Sequence, residues 1–275
     1  MEIWEKRLQY SVSGSGLSRD SNPPFWLNLQ DKKKGNSDYA DRINLIDRFV
    51  KIFGKQRIRC VMGDREFVGK KWIDWLRKQK IPYVLRLKEN GQYVACSQGK
   101  MTLAKHLFHD LKPGEFKLLG SRRVGKTDPY LSHVCGLSIG TDQVLVLLFS
   151  ESIENPWNLY RERWQIEVLF KAIKSGGFDL EATHITQHDR LDTLLGVVAL
   201  TCVIAYKAGM CVNSVEPPVL KKHGFKPHSI IRSGIDFLIR WIRATFDSSR
   251  PFRDVDKKIW QLLQSTFCSL PKIVM

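Results

Sequence analysis

No two of this chain's six cysteines are spaced as a CxxC pair. Cys60, Cys96, Cys135, Cys202, Cys211 and Cys268 are scattered among mostly apolar neighbours. That spacing argues against a zinc ribbon or a redox dithiol and for free core thiols in a reducing cytosol. The N-terminus, Met1-Glu2-Ile3-Trp4-Glu5-Lys6, lacks the apolar stretch of a secretory signal. The nearest approach to a membrane span, Leu191 to Val212, is interrupted by Asp192, Thr193, Lys207 and Gly209. It reads as a buried core helix, and no membrane is expected as a partner. There is no HExxH motif and no internal repeat. Acidic residues are few, 28 against 44 basic ones, for a formal charge of +16. That excess predicts attraction to a polyanion, with affinity falling steeply as salt rises. Ribosome-associated, membrane-surface and nucleic-acid enzymes all share such a charge. The 43% hydrophobic content excludes a disordered polycation.

What is present alternates strand and helix. Residues 38 to 53 place Ile43, Ile46, Phe49, Val50 and Phe53 at helical spacing. Ile58 to Met62 reads as a strand, Lys70 to Lys80 as a helix with Trp72, Trp75 and Leu76 inward, and Pro82 to Leu87 as a second strand. This order predicts an α/β sheet. From Tyr93 to Phe149 short strands such as Phe116 to Leu119 and Val144 to Phe149 alternate with turns, with one short helix near 102 to 108. This stretch reads as a mainly β insertion. Pro156 suits the first turn of a helix that buries Ile166, Leu169, Phe170 and Ile173 and ends near Gly176-Gly177. Further helices are expected at about 187 to 211, 227 to 244 and 254 to 267. Residues 24 to 29 suit an edge strand, followed by a polar turn at 32 to 36. Tracts 1 to 22 and 213 to 226 are the candidates for loose structure.

The chemistry concentrates in two places. Tyr160, Arg163, Glu167 and Lys174 stand at offsets of 3, 7 and 14 residues, which on a helix brings all four to roughly one face. A carboxylate among two cations and a phenol suits both a divalent metal and phosphate. Asp64 follows the run Ile58 to Gly63, where a metal ligand would stand at a strand's carboxyl end. Each has a plainer reading. Asp64 caps the next helix, with Glu66 as an alternative ligand. Glu167 is one rung of an i,i+4 ladder with Arg163 and Lys171. Arg65 is placed against phosphate or a neighbouring carboxylate. Trp164 reads as packing, and His184 and His188 as capping or DNA-facing groups. Arg122, Arg123 and Lys126, in Ser121-Arg122-Arg123-Val124-Gly125-Lys126, read as a hairpin loop facing phosphate or as a solvated turn. The same choice holds for the basic loop Lys221 to Lys226.

Tyr160, Arg163, Glu167 and Lys174 resemble, without a gap, the Y-x2-R-x3-E-x6-K signature of bacterial insertion-sequence transposases of the IS-four family. These are DDE enzymes with a ribonuclease H-like core. Gly63-Asp64-Arg65-Glu66-Phe67-Val68-Gly69 looks like the family motif around its second aspartate, and the likeness extends from about Pro24 to Leu238. It implies a ribonuclease H-like α/β core interrupted by a mainly β insertion, with additional C-terminal helices. The implied layout is an atypical segment 1–22, core 23–90, insertion 91–152, core with the signature helix 153–212, and a helical region 213–275. It further implies Mg²⁺, with Mn²⁺ as substitute, held by Asp64 and Glu167 for strand cleavage and transfer. Tyr160, Arg163 and Lys174 would grip backbone phosphates. The implied partners are double-stranded DNA at transposon ends and targets, and a second copy in a DNA-bound homodimer. The implied location is the nucleoid of the bacterial cytoplasm.

The resemblance breaks at the first catalytic aspartate. The likeness enters the family pattern only around Pro24 to Asp31, and the one aspartate upstream of that is Asp20, in Ser18-Arg19-Asp20-Ser21-Asn22, which does not read as a buried strand. The expectation is a truncated or frameshifted element whose catalysis is impaired. The alternative is a non-catalytic DNA-binding remnant that interferes with intact copies.

Overall fold

Among the described residues eight strands share one sheet: β1 (Ser13–Gly14), β2 (Ile58–Gly63), β3 (Tyr83–Leu87), β4 (Tyr93–Ala95), β5 (Met101–Leu103), β6 (Phe116–Val124), β7 (Tyr130–Gly140) and β8 (Gln143–Phe149). The computed structural model describes residues 13–14, 39–140, 143–164, 167, 183–185, 187–219, 227–247 and 251–268. The chain divides into one unit of Met1–Leu17 with Pro24–Glu167 and a second of Ser18–Pro23 with Val168–Met275.

The sheet, all in the first unit, runs β1-β2-β3-β8-β7-β6-β4-β5. β2 and β3 pair in parallel, Met62 opposite Val84, and are joined through helix α2 (Lys70–Lys78). A parallel pair needs such a crossover, and its strands are buried on both faces. Accordingly Tyr83, Val84, Leu85 and Leu87 are all buried. β8 is antiparallel to β3, with Leu147 opposite Arg86. The β-rich segment therefore extends the core sheet through its last strand. Two of its strands, β6 and β7, are also longer than the short ones expected. β7 runs 11 residues and was not singled out by its sequence. Ser132, Gly136 and Ser138 occupy buried positions there and dilute the alternation that marks a strand. Gly136 is required: a Cβ would overlap the Phe108 ring.

Helices α1 (Tyr39–Phe53) and α2 cover one face, where Ile46, Phe49, Trp72, Ile73 and Leu76 pack on Tyr83, Leu85, Val134 and Leu148. Two details of the expected helix faces change. Leu45 and Arg42 are buried on α1 while Ile43, Val50 and Phe53 are only partly so. On α2 Ile73 is buried, and Trp75 stacks half-exposed on Trp72 with ring centroids 5.5 Å apart. Helix α3 (Pro156–Glu162) lies over the other face, with Tyr160 and Trp157 against Cys60, Val84, Cys135, Leu147 and Phe149. Pro156 occupies its first turn, and Asn155 caps it by accepting from the Asn158 amide.

The second unit packs α4 (His188–Val215), α5 (Ile230–Phe246) and α6 (Asp254–Cys268). α4 is long and apolar enough to cross a membrane by composition alone, but half of that stretch is buried. Its Ala208 and Cys211 meet Phe237 of α5 and Ile259 and Leu263 of α6. Cys60, Cys96, Cys135, Cys202 and Cys211 are free, and all of these but Cys96 are buried. Burial pushes the Cys60 thiol up to about 12, which makes it an inert packing group. The expected strand at 24–29, tracts 1–12 and 15–22, the helix through Gly176-Gly177 and the loop 221–226 lie outside the described residues.

Candidate active site

Asp64 stands at the carboxyl end of β2 because the chain must turn sharply there. A Cβ on Gly63 would press into Phe67 and Leu85. Asp64 then caps the short 3₁₀ turn Arg65–Phe67, its Oδ1 accepting from the Arg65 amide at 2.8 Å. Arg42 of α1 secures the turn from behind. It donates to the Glu66 carbonyl at 2.9 Å, and its guanidinium lies 4.8 Å from the Phe67 ring centroid. The capping geometry is thus real. It also leaves the carboxylate 45% exposed, beside Arg86 Nη1 at 3.8 Å.

α3 brings the second half of the site. At its end the Arg163 amide bonds to the Tyr160 carbonyl at 3.0 Å, an i to i−3 contact that eclipses the two side chains. The Arg163 guanidinium accordingly lies 5.5 Å from the Tyr160 ring centroid. From there Arg163 Nη2 donates to Glu167 Oε1 at 2.7 Å. The ladder reading of Glu167 is therefore also real, with its carboxylate 41% exposed.

The two halves act on each other. Burial raises the Tyr160 pKa, Asp64's charge raises it further, and Arg163 and Arg86 oppose both. Burial pulls Arg163 down, yet Tyr160, the bond and charge of Glu167, and the charge of Asp64 hold it above its ordinary value. One guanidinium therefore feels both candidate carboxylates. Hard oxygen ligands of this kind suit Mg²⁺. Among the described residues no group of three His, Cys, Asp or Glu side chains gathers as a metal site.

The other expected residues are placed less uniformly. Arg65 meets a neighbouring carboxylate, Glu89 Oε1, at 3.5 Å. Lys174 lies outside the described residues. Trp164 is exposed rather than packed. Arg122 and Arg123 belong to β6 itself, opposite Ser132 and Leu131 of β7. Only Lys126 reaches the hairpin tip, its Nζ 5.1 Å from the Tyr93 ring centroid. Arg86 was not anticipated: a lone arginine inside a buried strand, Tyr83 to Leu87, was the signal available.

A family model described as "Transposase DDE domain" matches residues 17–204, more than half of the chain. No curated protein matches.

Proposed function

Since the chain belongs to the transposase DDE-domain family, we propose that it binds duplex DNA at insertion-sequence ends, where Asp64 and Glu167 hold one Mg²⁺ for phosphoryl transfer. The family acts in DNA transposition, and the α/β sheet is that of its ribonuclease H-like core. The observation that supports the reading is that Arg163, paired with Glu167 at 2.7 Å, also feels the charge of Asp64 at the end of β2. When bound, the ion would acidify the attacking water or 3′-hydroxyl and polarise the scissile phosphate. Tyr160 and Arg163 hold a backbone phosphate against these carboxylates, a role that the family signature also gives Lys174. Arg123 and Lys126 add sequence-independent attraction along the hairpin, and two copies engage the paired ends.

Two carboxylates bind a cation more weakly than three, so this chain cuts DNA slowly by itself. The test is Mg²⁺-dependent nicking of terminal-repeat and hairpin DNA, with D64N and E167Q alongside. Slow cleavage lost in both variants supports the reading. Rapid turnover would overturn the impairment, and cleavage indifferent to both variants would overturn the site. The lack of a three-ligand group among the described residues favours a second reading, DNA binding without cleavage. It predicts salt-sensitive binding that E167Q leaves intact and no nicking at any Mg²⁺ concentration.

A further inference from the structure

Three polar atoms near Asp64 are buried without a hydrogen bond of regular geometry: Arg86 Nε, Arg163 Nε and the Tyr160 hydroxyl. All three are donors, and desolvated donors are costly unless something accepts from them. Arg86 is the least expected. It projects from β3 on the face covered by α3, beside Val84 and opposite Leu147. Its side chain is only 22% exposed. No packing need explains a guanidinium in that position, where an aliphatic residue would complete the layer. Among the described residues its one ion pair, to Asp64 Oδ1, spans 3.8 Å, too long for a hydrogen bond. That oxygen already accepts from the Arg65 amide.

We propose that Arg86 is a further substrate-binding residue that takes a backbone phosphodiester of the bound DNA. Its Nε and one Nη donate to two phosphate oxygens, the side-on bidentate geometry that a guanidinium offers and an ammonium lacks. The contact with Asp64 is its resting position in the absence of DNA. Moving to phosphate relieves the buried Nε and releases Asp64 from a competing cation. Phosphate binding and metal binding thereby favour each other. The inference rests on the DNA-binding reading above and adds a residue that no motif marks.

The test compares wild-type chain with R86Q, R86K and, as control, R57Q on an exposed turn, each binding a short labelled duplex over a range of salt. R86Q should lower the slope of log affinity against log salt by about one, with R57Q matching wild type. R86K keeps the charge and therefore the slope, but without a side-on pair of donors it should bind about ten-fold more weakly at low salt. Mn²⁺ affinity without DNA should rise in R86Q, because a competing cation is gone. A slope in R86Q equal to that of a salt-sensitive wild type overturns this inference alone. A wild type insensitive to salt overturns the DNA reading and this inference together. If R86Q fails to fold by circular dichroism, R86K decides, and affinity equal to wild type would overturn the role.

Discussion

Arg163 donates to Glu167 across 2.7 Å while its guanidinium also feels the charge of Asp64, which lies about a hundred residues earlier in the chain. A half-exposed ion pair of this kind contributes only about 0.5 kcal/mol to stability. The arrangement therefore matters for chemistry more than for folding, and E167Q should separate the two. Its thermal midpoint should stay close to that of wild type and its duplex affinity should hold, since a negative charge is removed. Single-turnover nicking with Mg²⁺ should fall about a hundredfold. A variant that unfolds early while cutting normally would make Glu167 a structural rung and nothing more.

Arg122 and Arg123 are neighbours in sequence with opposite duties, because successive residues of a strand face opposite sides. Arg122 lies on the face of Tyr130 and Val124, its Nε buried, and donates to the Ser121 carbonyl. Arg123 is exposed on the other face, bonded to the Gly99 carbonyl at 3.2 Å. R123Q should weaken duplex binding and lower the salt slope by about one without loss of stability. R122Q should do the reverse, lowering the urea midpoint and leaving the salt slope alone. Equal effects on binding would show that the hairpin is read as a loop rather than by its faces.

The same alternation explains what the sequence revealed. The regular elements around the site were legible because their patterns are unambiguous. Ile58 to Gly63 is a short apolar run ending in glycine and aspartate, and Lys70 to Lys78 repeats its aromatic residues at helical spacing. Arg163 and Glu167 were legible as an i,i+4 pair. Arg86 was not, because its significance comes from β2 and α3, brought beside β3 only by folding. The 11-residue β7 was hidden by buried serines and by Gly136, which exists to admit the Phe108 ring. Arg122 and Arg123 looked like a loop because two charges in succession suggest a solvated turn, although one of them faces the core side.

In the second unit, Gly234 of α5 meets α4 so closely that a Cβ would overlap the Ala205 carbonyl and the Gly209 amide. Gly209 in turn faces the Ile230 carbonyl. An alanine in a free helix would gain about 1 kcal/mol over glycine. Here forcing the helices apart costs about 1–3 kcal/mol, so G234A should lower the thermal midpoint. G209A should do likewise, and the double variant should fall short of the sum because both open the same crossing. Stabilisation by either alanine would show that the helices are not held this close.

Asp256 near the start of α6 is buried with its side chain 8% exposed, and Arg253 grips it with two bonds of 2.8 Å. Arg240 of α5 adds a contact at 3.4 Å, and Arg253 also reaches Glu216, just past α4, at 3.6 Å. The bonds from Arg253 lower the Asp256 pKa, against burial, and the charges of both arginines assist. A folded pKa below the unfolded value, about 3.9, contributes stability that is fully present above that value. It is lost as pH falls through the folded one. D256N should therefore be less stable than wild type at neutral pH by about 1–2 kcal/mol, the partly exposed arginines limiting the effect. The difference should shrink below about pH 4, where wild type loses its charge as well. Urea unfolding of both proteins over a range of pH, followed by far-UV circular dichroism, measures the difference. D254N, whose carboxylate is 98% exposed, should show no such pH-dependent gap. A gap in D256N that stays constant into acid would mean that the charge of Asp256 is irrelevant and only its packing counts.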